Sequence, residues 1–190
     1  MERLLCVYCS SSDAVDPSFV ESARTMGAEM ARHGYGLVYG GTTVGLMGAL
    51  ARSVHSHGGR VVGIIPEAIH AMGIGNDLAD ELIVTPGMRE RKAAMEARAD
   101  GFIALPGGFG TLEELFEVTT LKQLKYHTKP IVILNAGGFY DPLVSLFEHI
   151  YQQRFAKPVY RQLYHVAATP AEAMEYLSSY TPPELGTKWL

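Results

Sequence analysis

Short, continuously apolar runs alternate with helix-type stretches along almost the whole chain, and few folds accommodate that rhythm. The runs 4–9, 37–39, 61–65, 82–85, 102–105, 131–134 and 164–167 read as strands. Most show no polar/apolar alternation, as expected of strands covered by helices on both faces. Between them, 17–33, 43–57, 88–98, 111–124, 142–154 and 171–179 read as helices. Asp16-Pro17 and His33-Gly34 bracket the first of these with the usual start and stop residues. The pattern predicts an α/β fold: one Rossmann-like domain over 1–180, with a doubly wound parallel sheet and helices on both faces. Residues 181–190, with Pro182-Pro183, are expected to form a flexible tail.

A chain of 190 residues suits one such domain. Sixteen Lys and Arg against 20 Asp and Glu give a net charge of −4, which argues against nucleic acid as a partner. It leaves room for a small anion held by a few placed cations. No apolar stretch approaches the roughly 20 residues that span a bilayer. The start of the chain also lacks the long apolar segment of a secretory signal. The expectation is a soluble, cytoplasmic protein without a membrane partner. Cys6 and Cys9 form a C-x-x-C inside the first strand, where residues three apart face opposite sides, so the sulfurs are expected to be buried and apart.

In doubly wound sheets ligands bind beyond the carboxyl ends of the strands. Two such places stand out. Tyr39 is followed by Gly40-Gly41-Thr42-Thr43-Val44-Gly45, and Leu105 by Pro106-Gly107-Gly108-Phe109-Gly110-Thr111. Both read as strand, glycine turn and helix, an arrangement that aims backbone N–H groups at an anion. Neither holds the lysine of a P-loop, and Glu113 replaces the third glycine of a dinucleotide fingerprint. The plainer alternative is a pair of tight turns; two in one small domain favour a phosphate ligand.

Helical spacing aligns Met88, Arg91, Lys92 and Met95 on one stripe. The stripe is either a solvated basic face or two cations reaching an anionic substrate. Glu114 also has two readings. Thr111-Leu112-Glu113-Glu114 fits a capping box, with Thr111 as N-cap and Glu114 reaching back. Alternatively, a carboxylate beside an anion-binding loop acts on another part of the ligand, such as a sugar carbon. The seven histidines show no metal-ligand spacing, so no metal site is expected.

Gly87-Met-Arg-Glu-Arg-Lys-Ala-Ala-Met95 together with Pro106-Gly-Gly-Phe-Gly-Thr-Leu-Glu-Glu114 resembles the Lonely Guy family. Its motifs M-x-x-R-K-x-x-M and P-G-G-x-G-T-x-x-E are both complete, and the likeness extends over most of the chain. Those proteins, long labelled lysine decarboxylases, are cytokinin riboside 5′-monophosphate phosphoribohydrolases. The resemblance implies hydrolysis of the N-glycosidic bond of a purine riboside 5′-monophosphate, cytokinin-type or AMP, to free base and ribose 5-phosphate, with no cofactor. It implies Arg91 and Glu114 as catalytic residues. It implies Gly41, Thr42, Lys92, Gly107, Gly108, Phe109, Gly110, Thr111 and Thr120 as substrate-binding residues, and a homodimer whose subunits border each other's sites. The stretch 71–76 offers no match for an acidic residue with which the family's plant members contact substrate. The competing expectation is a non-catalytic carrier or sensor of a nucleotide-like ligand, since molybdenum-cofactor carriers resemble this fold.

Overall fold

The computed structural model describes residues 3–186. Seven parallel strands form one sheet: β1 Arg3–Tyr8, β2 Tyr35–Tyr39, β3 Val61–Pro66, β4 Glu81–Thr85, β5 Gly101–Ala104, β6 Ile131–Leu134 and β7 His165–Ala167. Seven α-helices alternate with them: α1 Pro17–Arg32, α2 Gly45–Ser56, α3 Glu67–His70, α4 Met88–Arg98, α5 Phe109–Gln123, α6 Asp141–Gln152 and α7 Pro170–Ser179. The strand order is β4-β3-β2-β1-β5-β6-β7. The chain therefore winds outward from β1 to β4, crosses back over β1, and winds the other way from β5. That reversal puts the ligand-binding crevice beyond the carboxyl ends of β1 and β5.

The two sheet faces carry separate cores. One gathers Leu5, Val7 and Cys9 with Met26 of α1 and Leu50 of α2. The other gathers Cys6 and Tyr8 with Met95 of α4, Leu115 of α5 and Phe147 of α6. Cys6 and Cys9 thus lie on opposite faces, free and fully buried, and burial raises both thiol pKa values well above the ordinary thiol range. Helix α1 begins as its sequence requires: Asp16 accepts from the N–H of Ser18, Pro17 takes the first position, and Gly34 follows the end at φ +74°.

The expected strands and helices are present, with ends displaced by a residue or two. The short α3 was not anticipated: its four residues carry no apolar periodicity, and only their neighbours hold them. Of the expected tail, 181–186 carry no helix or strand, and 187–190 lie outside the described residues. Leu185 nevertheless packs against the α4–α6 core, and Tyr180 donates its hydroxyl to the carbonyl of Thr128 at 2.8 Å. No helix among the described residues is long and apolar enough to cross a membrane.

Candidate active site

Beyond the carboxyl ends of β1, β2 and β5 opens a cavity of about 550 Å³, within the range of small-ligand sites. Arg91 projects into it from α4 and Glu114 from α5. Arg91 donates through Nη1 to Glu114 Oε1 at 2.9 Å and through Nε to the carbonyl of Ile64 at 3.1 Å. Both side chains are only 6% exposed. Removing one partner of such a buried pair typically costs about 3–5 kcal/mol, so each residue depends on the other. Burial pushes the Glu114 carboxyl up; the charge and hydrogen bond of Arg91 pull it down, and the net direction is upward. Glu114 is thus a carboxylate shifted toward the neutral range, as a general base requires.

This geometry overturns two of the alternatives left open by the sequence. The stripe on α4 is not a solvated basic face, since Arg91 is buried against Glu114. Nor does Thr111 cap α5. The helix starts two residues earlier, with Gly108 as N-cap, and Thr111 sits buried in the first turn. The helix is extended because Gly107 leaves space that the Thr111 side chain fills; a Cβ at 107 would overlap Thr111 Oγ1 and Cβ. Glu114 is therefore free of any capping duty.

Gly108, Phe109, Gly110 and Thr111 line the cavity, and Thr42 faces them from the β2 loop. No hydrogen bond within the described residues engages the N–H groups of Phe109, Gly110 or Thr111. With the partial positive charge of a helix N-terminus, they form an anion-binding pole. Gly41 and Gly107 lie just outside the lining and shape it; Gly41 turns the chain at φ +74° and accepts from the N–H of Asn76. Lys92 is not in the cavity wall, because its ammonium lies between Glu113 at 2.5 Å and Glu117 at 2.6 Å. Thr120 is exposed on the outer face of α5 and is likewise absent from the wall.

The remaining lining came from parts of the sequence not singled out. Ser10, Ser11 and Ser12 follow β1, and an apolar wall is made by Met47, Ile69, Met72 and Ile74. The serines were findable, because β1 is a strand end at the reversal point. The apolar wall was not, since it depends on α3 and on the Thr42–Gly75 bridge that ties it to the β2 loop.

Residues 47–177 match the family profile described as "Possible lysine decarboxylase". A cytokinin riboside 5′-monophosphate phosphoribohydrolase of Oryza sativa subsp. japonica is 41% identical over 188 residues, covering 98% of this chain and 78% of the relative. One of Arabidopsis thaliana with the same activity name is 41% identical, covering 95% and 83%. Among solved structures, the molybdenum cofactor binding protein of the phototrophic bacterium Rippkaea orientalis superposes with a TM-score of 0.73 at 23% identity, covering 94% of this chain and 97% of that one. That likeness is one of fold. With two complete motifs meeting in one cavity and relatives matched over most of their length, the chain belongs to the Lonely Guy family.

Proposed function

We propose that this protein hydrolyses the N-glycosidic bond of a purine nucleoside 5′-monophosphate, releasing the free base and ribose 5-phosphate. The observation that carries this reading is the buried Glu114, held by Arg91 in a cavity that also contains an open helix N-terminus. A nucleotide fits those elements in order. Its phosphate meets the N–H groups of Phe109, Gly110 and Thr111, its ribose lies by Glu114, and its base lies against Met47, Met72 and Ile74. The names of the rice and Arabidopsis relatives agree with this substrate class.

The C1′–N bond breaks with its electron pair passing to the base, and positive charge grows on the ribose as in other glycoside cleavages. The Glu114 carboxylate stabilises that charge and accepts a proton from the water whose oxygen bonds to C1′. The proton taken from that water by Glu114 passes on to the departing base, which restores the carboxylate. Arg91 keeps Glu114 ionised and oriented, so it is catalytic through the carboxylate it holds.

An apolar wall without a charged group suits an adenine that is plain or carries an apolar N6 substituent, so both AMP and cytokinin-type nucleotides are proposed as substrates. The active unit is proposed to be a homodimer. Phe116 at 40%, Leu146 at 49% and Phe109 at 93% exposure leave apolar surface on α5 and α6 that a second copy would cover. Thr120 shares the outer side of α5, about 16 Å along the helix from Phe109, and in this proposal it faces the cavity of the second copy rather than its own. Incubation with AMP, N6-prenyl-AMP and adenosine, followed by chromatography of the base, tests the reading. Release of base from the nucleotides and far less from adenosine is expected. Binding of AMP without release of base would favour a carrier, and a monomer mass with full activity would remove the dimer.

A further inference from the structure

Gly40 needs an explanation that its backbone does not supply. Unlike Gly41, it is not in the left-handed region, so an L-residue could adopt its conformation without strain. What excludes a side chain is the neighbourhood. A Cβ at 40 would overlap Arg91 Nη2 and stand 3.1 Å from Met47 Sδ. Resting on the hydrolase reading above, we infer that Gly40 is a positioning residue: its bare α-carbon is the seat against which the Arg91 guanidinium is held onto Glu114.

Arg91 is fixed on three sides. Nε is tied to the carbonyl of Ile64 within β3, Nη1 to Glu114, and Nη2 rests on Gly40 just after β2. The helix that carries it cannot drift, because Met95, one turn on, is fully buried between α4 and the sheet. A methyl group at 40 therefore displaces the guanidinium rather than α4. The easiest path is a rotation about the Nε–Ile64 bond, which takes Nη1 away from Glu114. Met47 can yield instead only by giving up its contact with the Thr42 hydroxyl, which it accepts at 3.3 Å. Glu114 would then keep its burial and lose its main counter-charge. The other charges that act on it, Glu113 and Lys92, lie further out and are paired with each other.

The test is Gly40→Ala in the full-length protein, alone and combined with Met47→Ala and with Arg91→Lys. Expected results are a kcat lowered about tenfold or more by sub-ångström misplacement, a KM for AMP within about threefold, and an acidic limb of the pH–rate profile moved to higher pH. The Glu114 carboxyl titration, followed by carbon-13 NMR, should move up in Gly40→Ala whether or not the protein turns over AMP. This readout separates the inference from the hydrolase reading, which fails if the wild type releases no base. The Tm loss caused by Gly40→Ala should vanish in the Arg91→Lys background, because the shorter side chain has no Nη2 to displace. A Gly40→Ala variant that is too unstable for kinetics is still read by that comparison. An unmoved Glu114 titration overturns the inference. So does an equal Tm loss in both backgrounds, or full recovery of kcat when Met47→Ala is added.

Discussion

Helices α2 and α5 both follow a strand and a glycine pair, yet their first turns do opposite things. At α2, the segment after β1 fills the helix mouth. Asp13 accepts from the N–H of Gly45 at 2.8 Å, and the carbonyl of Ser10 accepts from Leu46 at 3.0 Å and Met47 at 3.4 Å. At α5, Gly108 caps without a side chain, and the next three N–H groups face the cavity with no partner in the described chain. One glycine loop closes a joint between β1 and β2, and the other leaves an electrostatic pole open. The same local pattern is thus structural or functional according to whether a third segment satisfies the orphan donors.

The largest effect should come from the carboxylate in the first turns of α5. Glu114→Gln keeps an acceptor for Arg91 Nη1 but can neither take a proton nor offset positive charge. Adenine release from AMP should fall by about 10²–10⁴, with AMP affinity retained. The wild-type rate should also fall as pH drops, with its limb at higher pH than an unperturbed glutamate would give, because burial outweighs Arg91 at Glu114. Near-normal turnover in a folded Glu114→Gln protein would return this helix end to a purely structural role, like that of α2.

Next comes the pole itself. Phe109→Pro removes one N–H at the first helical position, where proline is tolerated and the preceding Gly108 is already extended at ψ −154°. Phe109 is 93% exposed, so little packing is lost within the subunit. A hydrogen bond to a charged group is worth about 1.5–3 kcal/mol, so AMP should bind roughly 10–100-fold more weakly by calorimetry. Phe109→Ala, which loses the same ring and any contact it makes with a second copy but keeps the N–H, is the control. Tm should match between the two variants, AMP should weaken only in Phe109→Pro, and adenosine binding should be spared in it relative to Phe109→Ala. Equal weakening of AMP and adenosine would place the phosphate elsewhere.

The contrast between the helix mouths also marks what the sequence could reveal. The strands, the helices between them and the glycine turns rest on local apolar runs and turn residues and are present as read, except that the turn before α2 leaves no free N–H groups for an anion. The Arg91–Glu114 pair joins α4 to α5, and no local signal says that a cation on a polar helix is buried. Only the family motifs brought those two residues together. Thr111 misled for a similar reason: T-x-x-E is a sound capping signal, but the space left by Gly107 lets the helix start earlier. Lys92 stands beside Arg91 in the motif, yet a 100° turn per residue points it at Glu113 and Glu117 instead.

The counterpart at α2 is Asp13→Ala. It strips the side-chain partner from the N–H of Gly45 and should cost about 0.5–2 kcal/mol of stability, the usual price of a lost cap. Thermal unfolding should show the drop, while the preference for AMP over adenosine stays as in the wild type. If Asp13→Ala instead abolished that preference with an unchanged Tm, the α2 mouth would be a second phosphate site and the contrast would be lost.

The smallest effect is expected at Lys92. Its side chain is 15% exposed and its partners Glu113 and Glu117 are 56% and 37% exposed, so the pairs sit at the protein's edge rather than in the cavity. Exposed ion pairs contribute about 0–1 kcal/mol. Lys92→Met keeps the aliphatic stem and loses only the charge, so Tm should fall by a few degrees at most and more at low salt than at high. What Lys92 does for the site is indirect: it ties the second turn of α4 to the first turns of α5, the part of the helix that presents the free N–H groups. AMP affinity should therefore change less than threefold, well short of the loss in Phe109→Pro. If Lys92→Met weakened AMP as much as Phe109→Pro and left adenosine binding intact, the ammonium would swing to the phosphate when the nucleotide binds, and the anion pole would be shared between a side chain and the helix mouth.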